Sequence, residues 1–149
     1  FEAIRPLINV TDKFLFDLKG EGLGLQHLCF DRQNRQGIVP KNIIPTHQHI
    51  KQENLDRNLK NLAQLLPLNK VEEVRLVYVV NFFDAEKLVE KVAALLKDYP
   101  DVLFKIIRMH TKGARDAEGL TPYVPTVEQT QALENYAKSC GLTKIVTIL

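Results

Sequence analysis

The sequence predicts an α/β domain built on a parallel sheet of about four strands with flanking helices. Three observations lead there. Four short β-rich runs alternate with helix-period segments, the pattern of repeated βαβ units. The first three runs, Phe14 to Leu18, Val74 to Val80 and Val102 to Ile107, are nearly continuous in apolar residues, as strands covered on both faces are. The 149 residues, 45% hydrophobic and 26% charged, suit one domain over 1–149 that buries a sizeable core.

Taken in order, Phe1 to Ile8 reads as the tail of a helix already under way, and with no initial methionine the chain reads as a fragment. The strand "FLFDL" follows. Leu55, Leu59, Leu62, Ala63 and Leu66 fall at i, i+4, i+7, i+8 and i+11, one apolar stripe of a helix leading into the second strand. Asp84 is placed to cap the next helix, whose inner face is Leu88, Val89, Val92, Ala93 and Leu96, and Pro100 stops it. Beyond the third strand, Thr126 and Gln129 have capping-box spacing. That helix buries Leu133, Tyr136, Ala137 and Cys140, with Cys140 a small core residue, and ends at Gly141 before the last strand, Lys144 to Ile148.

Two connections exceed what the sheet needs, Gly20 to Gln52 and Arg108 to Pro125, and both follow strand carboxyl ends. A net charge of +2 with interspersed signs gives no basic face, so no nucleic acid is expected. The absence of an apolar run near 18 residues argues against a membrane span, and with no signal-peptide pattern the expected location is cytoplasmic. Cys29 and Cys140 are too few for a disulfide framework and wrongly spaced for zinc. His47 and His49 lack partner ligands, "GEGLG" lacks the third glycine of a dinucleotide fingerprint, and "DRQNR" reads as solvated loop.

Right-handed crossovers gather the strand carboxyl ends on one rim, which brings together Asp17, Lys19, Asn81, Arg108 and His110. Asp17 and Lys19 share one side of their strand, and Arg75 faces in or out with the pleat. Such a rim suits a zwitterionic or anionic small molecule: a guanidinium can fork onto a carboxylate, Lys19 supplies a point charge, and Asp17 takes an ammonium. The bland readings are a solvated strand end, a surface pair of Arg75 with Glu73, and an ordinary loop histidine at His110. No residue reads as catalytic or as a metal ligand.

Several segments together resemble the radical S-adenosylmethionine activating enzymes of glycyl radical enzymes, of the pyruvate formate-lyase activase type. "VTDKFLFDLKG" resembles that family's strand ending in Asp-Leu-Lys, "VEEVRLVYVV" its strand with an early arginine, and "FKIIRMHTKG" its last barrel strand with a terminal histidine. "PTVEQTQALENYAKSCGLTKIVTIL" is similar to its closing helix and strand.

The resemblance covers nearly this whole chain but only the carboxyl half of the family's chain. It implies the last three βα units of a partial (βα)6 TIM-like barrel, with Asp17, Lys19, Arg75 and His110 lining the S-adenosylmethionine cleft. It implies, for the intact parent, a 4Fe-4S cluster, reductive cofactor cleavage to a 5'-deoxyadenosyl radical, a glycyl radical enzyme as target, and flavodoxin or ferredoxin as electron donor.

This chain lacks the C-x3-C-x2-C cluster motif and the glycine-rich strand that grips the methionine amino group. It is therefore expected to be inactive alone and, as a half barrel, to self-associate. It also reads "NFFD", Asn81 to Asp84, where the family has Pro-Gly, and its "VPKNIIPTHQHI" lies in an enlarged loop. The competing reading is a freestanding α/β module binding a small anion or nucleotide.

Overall fold

The structure, a computed structural model, describes residues 2–20, 57–113 and 117–149. Among the described residues the sheet has four strands in chain order: β1 (Phe14–Leu18), β2 (Val71–Tyr78), β3 (Leu103–Arg108) and β4 (Ile145–Ile148). All neighbouring pairs are parallel. The helices are α1 (Arg5–Ile8), α2 (Arg57–Leu65), α3 (Ala85–Leu96), α4 (Ala117–Leu120) and α5 (Val127–Ser139). Short 3-10 turns occupy Glu2–Ile4, Leu66–Leu68 and Thr121–Tyr123.

Parallel neighbours need crossovers, and in proteins these are right-handed in nearly every case. When strand order never reverses, successive right-handed crossovers lay their helices on the same face. The core shows this. Leu18, Val74, Leu76, Phe104 and Ile106 are buried in one cluster with Leu62, Leu88, Val89, Val92 and Ala137. Those strand residues belong to one side of the pleat, as the registers Leu18↔Leu76↔Ile106 and Val74↔Phe104 require.

The expectation that helices cover both faces is therefore corrected: among the described residues they pack on one. The other face carries Leu15 and Val146, 52% and 44% exposed, and the charged residues Asp17, Glu73, Arg75 and Lys105. The runs look continuous because Val77, Leu103 and Ile107, half-buried on that open face, are also apolar. An apolar run does not by itself demand a second helical layer.

Local signals fare well. Asp84 caps α3 by accepting the Lys87 N–H at 3.0 Å. The capping box of α5 is complete, with Thr126 Oγ accepting from the Gln129 N–H and Gln129 Oε1 accepting from the Thr126 N–H. Gly141 at φ +96° closes that helix as its N–H reaches the Lys138 carbonyl and the Leu142 N–H reaches that of Ala137. Thr126→Ala should therefore cost about 1 kcal/mol, read as a lower urea midpoint. Cys140 is half-buried against the core and its thiol is free. Tyr136 packs there too, but its hydroxyl escapes to donate to Glu90 at 2.5 Å.

The second strand starts three residues earlier than its apolar run, because Glu72 and Glu73 conceal its beginning, and it ends at Tyr78. Beyond it the chain turns through Asn81, whose φ of 64° is left-handed. The Val80 N–H donates to the Tyr123 carbonyl at 3.0 Å, and Phe82 meets the Tyr123 ring edge-on at 4.5 Å. Leu55, Cys29, "DRQNR", His47, His49 and most of the long Gly20 to Gln52 connection lie outside the described residues. Among the described residues no helix is long and apolar enough to cross a membrane.

Candidate functional site

The strands run in one direction, so their carboxyl ends share a rim and their open face forms one continuous surface. Register sets Asp17 beside Arg75, and Arg75 beside Lys105, as one row across three strands. Glu73 lies two residues before Arg75 on the same side. Arg75 Nε donates to Glu73 Oε2 at 2.8 Å, and Lys105 Nζ donates to both Glu73 oxygens at 2.9 Å. Asp17 Oδ1 stands 3.9 Å from Arg75 Nη1, an ion pair without a hydrogen bond.

Lys19 is the first residue past the end of β1, is exposed, and has no hydrogen bond or ion pair among the described residues. The structure thus brings Asp17 and Arg75 together and sets Lys19 at their carboxyl-side margin. His110 lies exposed beyond β3, outside this network. Arg108 is committed elsewhere: its Nε donates to the Pro125 carbonyl at 2.6 Å and ties the approach to α5.

Lys105 is the residue that sequence reasoning missed, and Glu73 was read there only as a surface partner of Arg75. The signal was available in the pleat. Once Asp17 and Arg75 face the same way, every second residue of "EVR" and "LFK" must join them. The pairing of Arg75 with Glu73, first read as incidental, is instead the centre of a network whose carboxylate is only 17% exposed.

Hydrogen bonding from Arg75, then from Lys105, holds the Glu73 carboxyl below its ordinary value of 4.5. A lowered folded value stabilises the fold above the unfolded value, and that contribution disappears as pH falls through the folded one. Acid should therefore weaken the protein below about pH 4.5, where the unfolded glutamate takes up its proton. Glu73→Gln should flatten that limb of a urea-midpoint profile against pH.

Lys19, Arg75 and Lys105 outnumber Asp17 and Glu73, so the open face suits an anion or a zwitterion. The donor set fits the methionine end of S-adenosylmethionine: Arg75 and Lys19 for a carboxylate, Asp17 for an ammonium. It does not fit an iron-sulfur cluster, which needs more thiolates than Cys29 and Cys140 supply. Among the described residues no group of three His, Cys, Asp or Glu side chains could hold a metal. A cavity of about 410 Å3 lined by Tyr78, Asn81, Asp84 and Gln129 opens at the same rim on the helical side. A larger one, about 540 Å3, lies among Leu96, Tyr99, Cys140 and Leu142 at the amino ends of β3 and β4, away from the charged row.

Comparison with known proteins finds a relative. The chain is 65% identical over all 149 residues to a protein of Haemophilus influenzae provisionally named a glycyl-radical enzyme activating enzyme. The chain is a relative of that protein. That name agrees with the resemblance to activating enzymes of glycyl radical enzymes read from the strand ends and the closing helix. The chain spans 57% of the length of the curated relative it matches. No family model matches it, and no solved structure does so significantly.

Proposed function

We propose that this chain is the carboxyl-terminal portion of a radical S-adenosylmethionine activase that generates a glycyl radical on a partner enzyme. The observation carrying the proposal is the acid-base row on the open face, Asp17 beside Arg75 with Lys19 at its margin, in a chain 65% identical to a named activating enzyme. Sheet order supports the barrel reading. Four parallel strands in sequence, with helices on one face, are what consecutive βα units of a (βα)6 barrel produce, the open face then being the barrel interior.

In that setting Arg75 and Lys19 bind the cofactor carboxylate, Asp17 takes the ammonium, and His110 closes the rim. When bound together in the parent, the cofactor and a 4Fe-4S cluster supply the reductive radical chemistry. The cluster's ligands come from the part of the parent outside this chain, and flavodoxin or ferredoxin delivers the electron. The fragment alone is inert. With β1 and β4 at the edges of the described sheet and Leu15, Val146 and Ile148 exposed, it self-associates.

The test is anaerobic reconstitution of the intact parent and of this chain with iron, sulfide and a reductant. The parent should acquire a four-iron chromophore and convert S-adenosylmethionine to 5'-deoxyadenosine. This chain should do neither, and a stoichiometric cluster on it would defeat the proposal.

A further inference from the structure

We infer that Glu73 is a positioning residue that holds the Arg75 guanidinium by its Nε edge, keeping the two Nη groups free to fork onto a ligand carboxylate. The inference rests on the proposed cofactor site.

An arginine offers five N–H donors in a rigid plane, and whichever carboxylate takes one edge decides where the other points. Two carboxylates compete here. Glu73 accepts from Nε at 2.8 Å, whereas Asp17 stops 3.9 Å from Nη1, beyond hydrogen-bonding distance. Glu73 wins because it is itself held. Lys105 donates to both of its oxygens at 2.9 Å, which fixes the carboxylate plane and balances its charge.

Glu73 and Lys105 are 17% and 18% exposed, so water screens their pair less than it screens the 47% exposed Asp17. The outcome is an arginine pinned from behind. Its Nε edge is spent on the protein, and its Nη edge is left toward the row that Asp17 begins. Without the Glu73 charge, Arg75 is released to close on Asp17, and each would then quench the group that the other offers to a zwitterion.

The test uses the intact, cluster-loaded parent and two probes, S-adenosylmethionine and 5'-methylthioadenosine, which shares the adenosine and sulfur but has no carboxylate. Glu73→Gln is expected to weaken S-adenosylmethionine binding about tenfold by calorimetric titration, the worth of one charge-assisted contact. Methylthioadenosine binding should not change. Glu73→Asp keeps the charge but is one methylene too short to reach Nε, and it should show the same selective loss. It decides the matter if Glu73→Gln fails to fold.

Equal weakening of both probes would mean a merely structural role and would overturn the inference. So would unchanged binding of both in a protein where Arg75→Met still loses S-adenosylmethionine. A wild-type parent that binds neither probe would instead overturn the proposed function, and this inference with it.

Discussion

Lys19→Met in the intact parent is expected to weaken S-adenosylmethionine binding by about ten- to a hundredfold with fold and cluster unchanged. Lys19 is exposed just past the end of β1 and has no partner among the described residues, so its loss leaves no buried charge behind. Methionine keeps most of the stem and removes the charge. What is lost is mainly one charge-assisted hydrogen bond, roughly 1.5 to 3 kcal/mol. That range converts to the stated loss in affinity.

The control must be a lysine on the far side of the sheet. Lys13, at the entry to β1, is unsuitable because it donates to the Asn69 carbonyl at 3.2 Å and lies 3.8 Å from Glu72. Lys60 on α2 is exposed on the helical side and serves instead. Calorimetric titration of both variants decides the matter. If Lys19→Met and Lys60→Met bind the cofactor equally well, the strand-end Asp-Leu-Lys is solvated surface and the site assignment fails.

The sequence revealed those features whose signal is local. The caps at Asp84 and Thr126 and the left-handed stop at Gly141 each depend on a few neighbouring residues, and each forms where its residues stand. The apolar stripe of α3 depends only on helical period, and all five of its inner-face residues are buried.

What the sequence concealed depends on pairing between strands. Nothing within "VEEVRLVY" says that Arg75 will stand between Asp17 and Lys105, since residues 58 and 30 positions away in the chain make that row. Glu73 was legible only as a surface partner of Arg75, a charge interrupting an apolar strand. Its partner Lys105 interrupts another. Two charges at strand positions of the same pleat side were the sign of an open face, and the apolar residues around them outweighed that sign. His110 rests on its motif alone, which gives order along the chain, because a residue past the end of β3 is not aimed by the pleat.

Phe104→Ala should be the most damaging single substitution in the core, costing about 3–5 kcal/mol. Phe104 is fully buried and lies in β3, between β2 and β4, with Val74 on one side and Ile145 on the other. Its backbone N–H donates to the Lys144 carbonyl at 2.9 Å, so the strand holds the ring against the helical layer and neighbouring side chains cannot collapse into the space an alanine leaves. A loss of that size is a large part of the roughly 5–15 kcal/mol that stabilises a domain.

Leu15→Ala, on the open face of β1 at 52% exposure, removes apolar surface that this chain leaves in water, and in the isolated chain it should cost well under about 1 kcal/mol. In the intact parent the same change should cost more if the proposed barrel forms, because Leu15 would then face an interior closed by the remaining strands. Urea midpoints for both variants in both proteins provide the measurement. A Leu15→Ala cost that is small and equal in chain and parent would show that the open face stays open, and would remove the barrel from the proposed architecture while leaving the charged row in place.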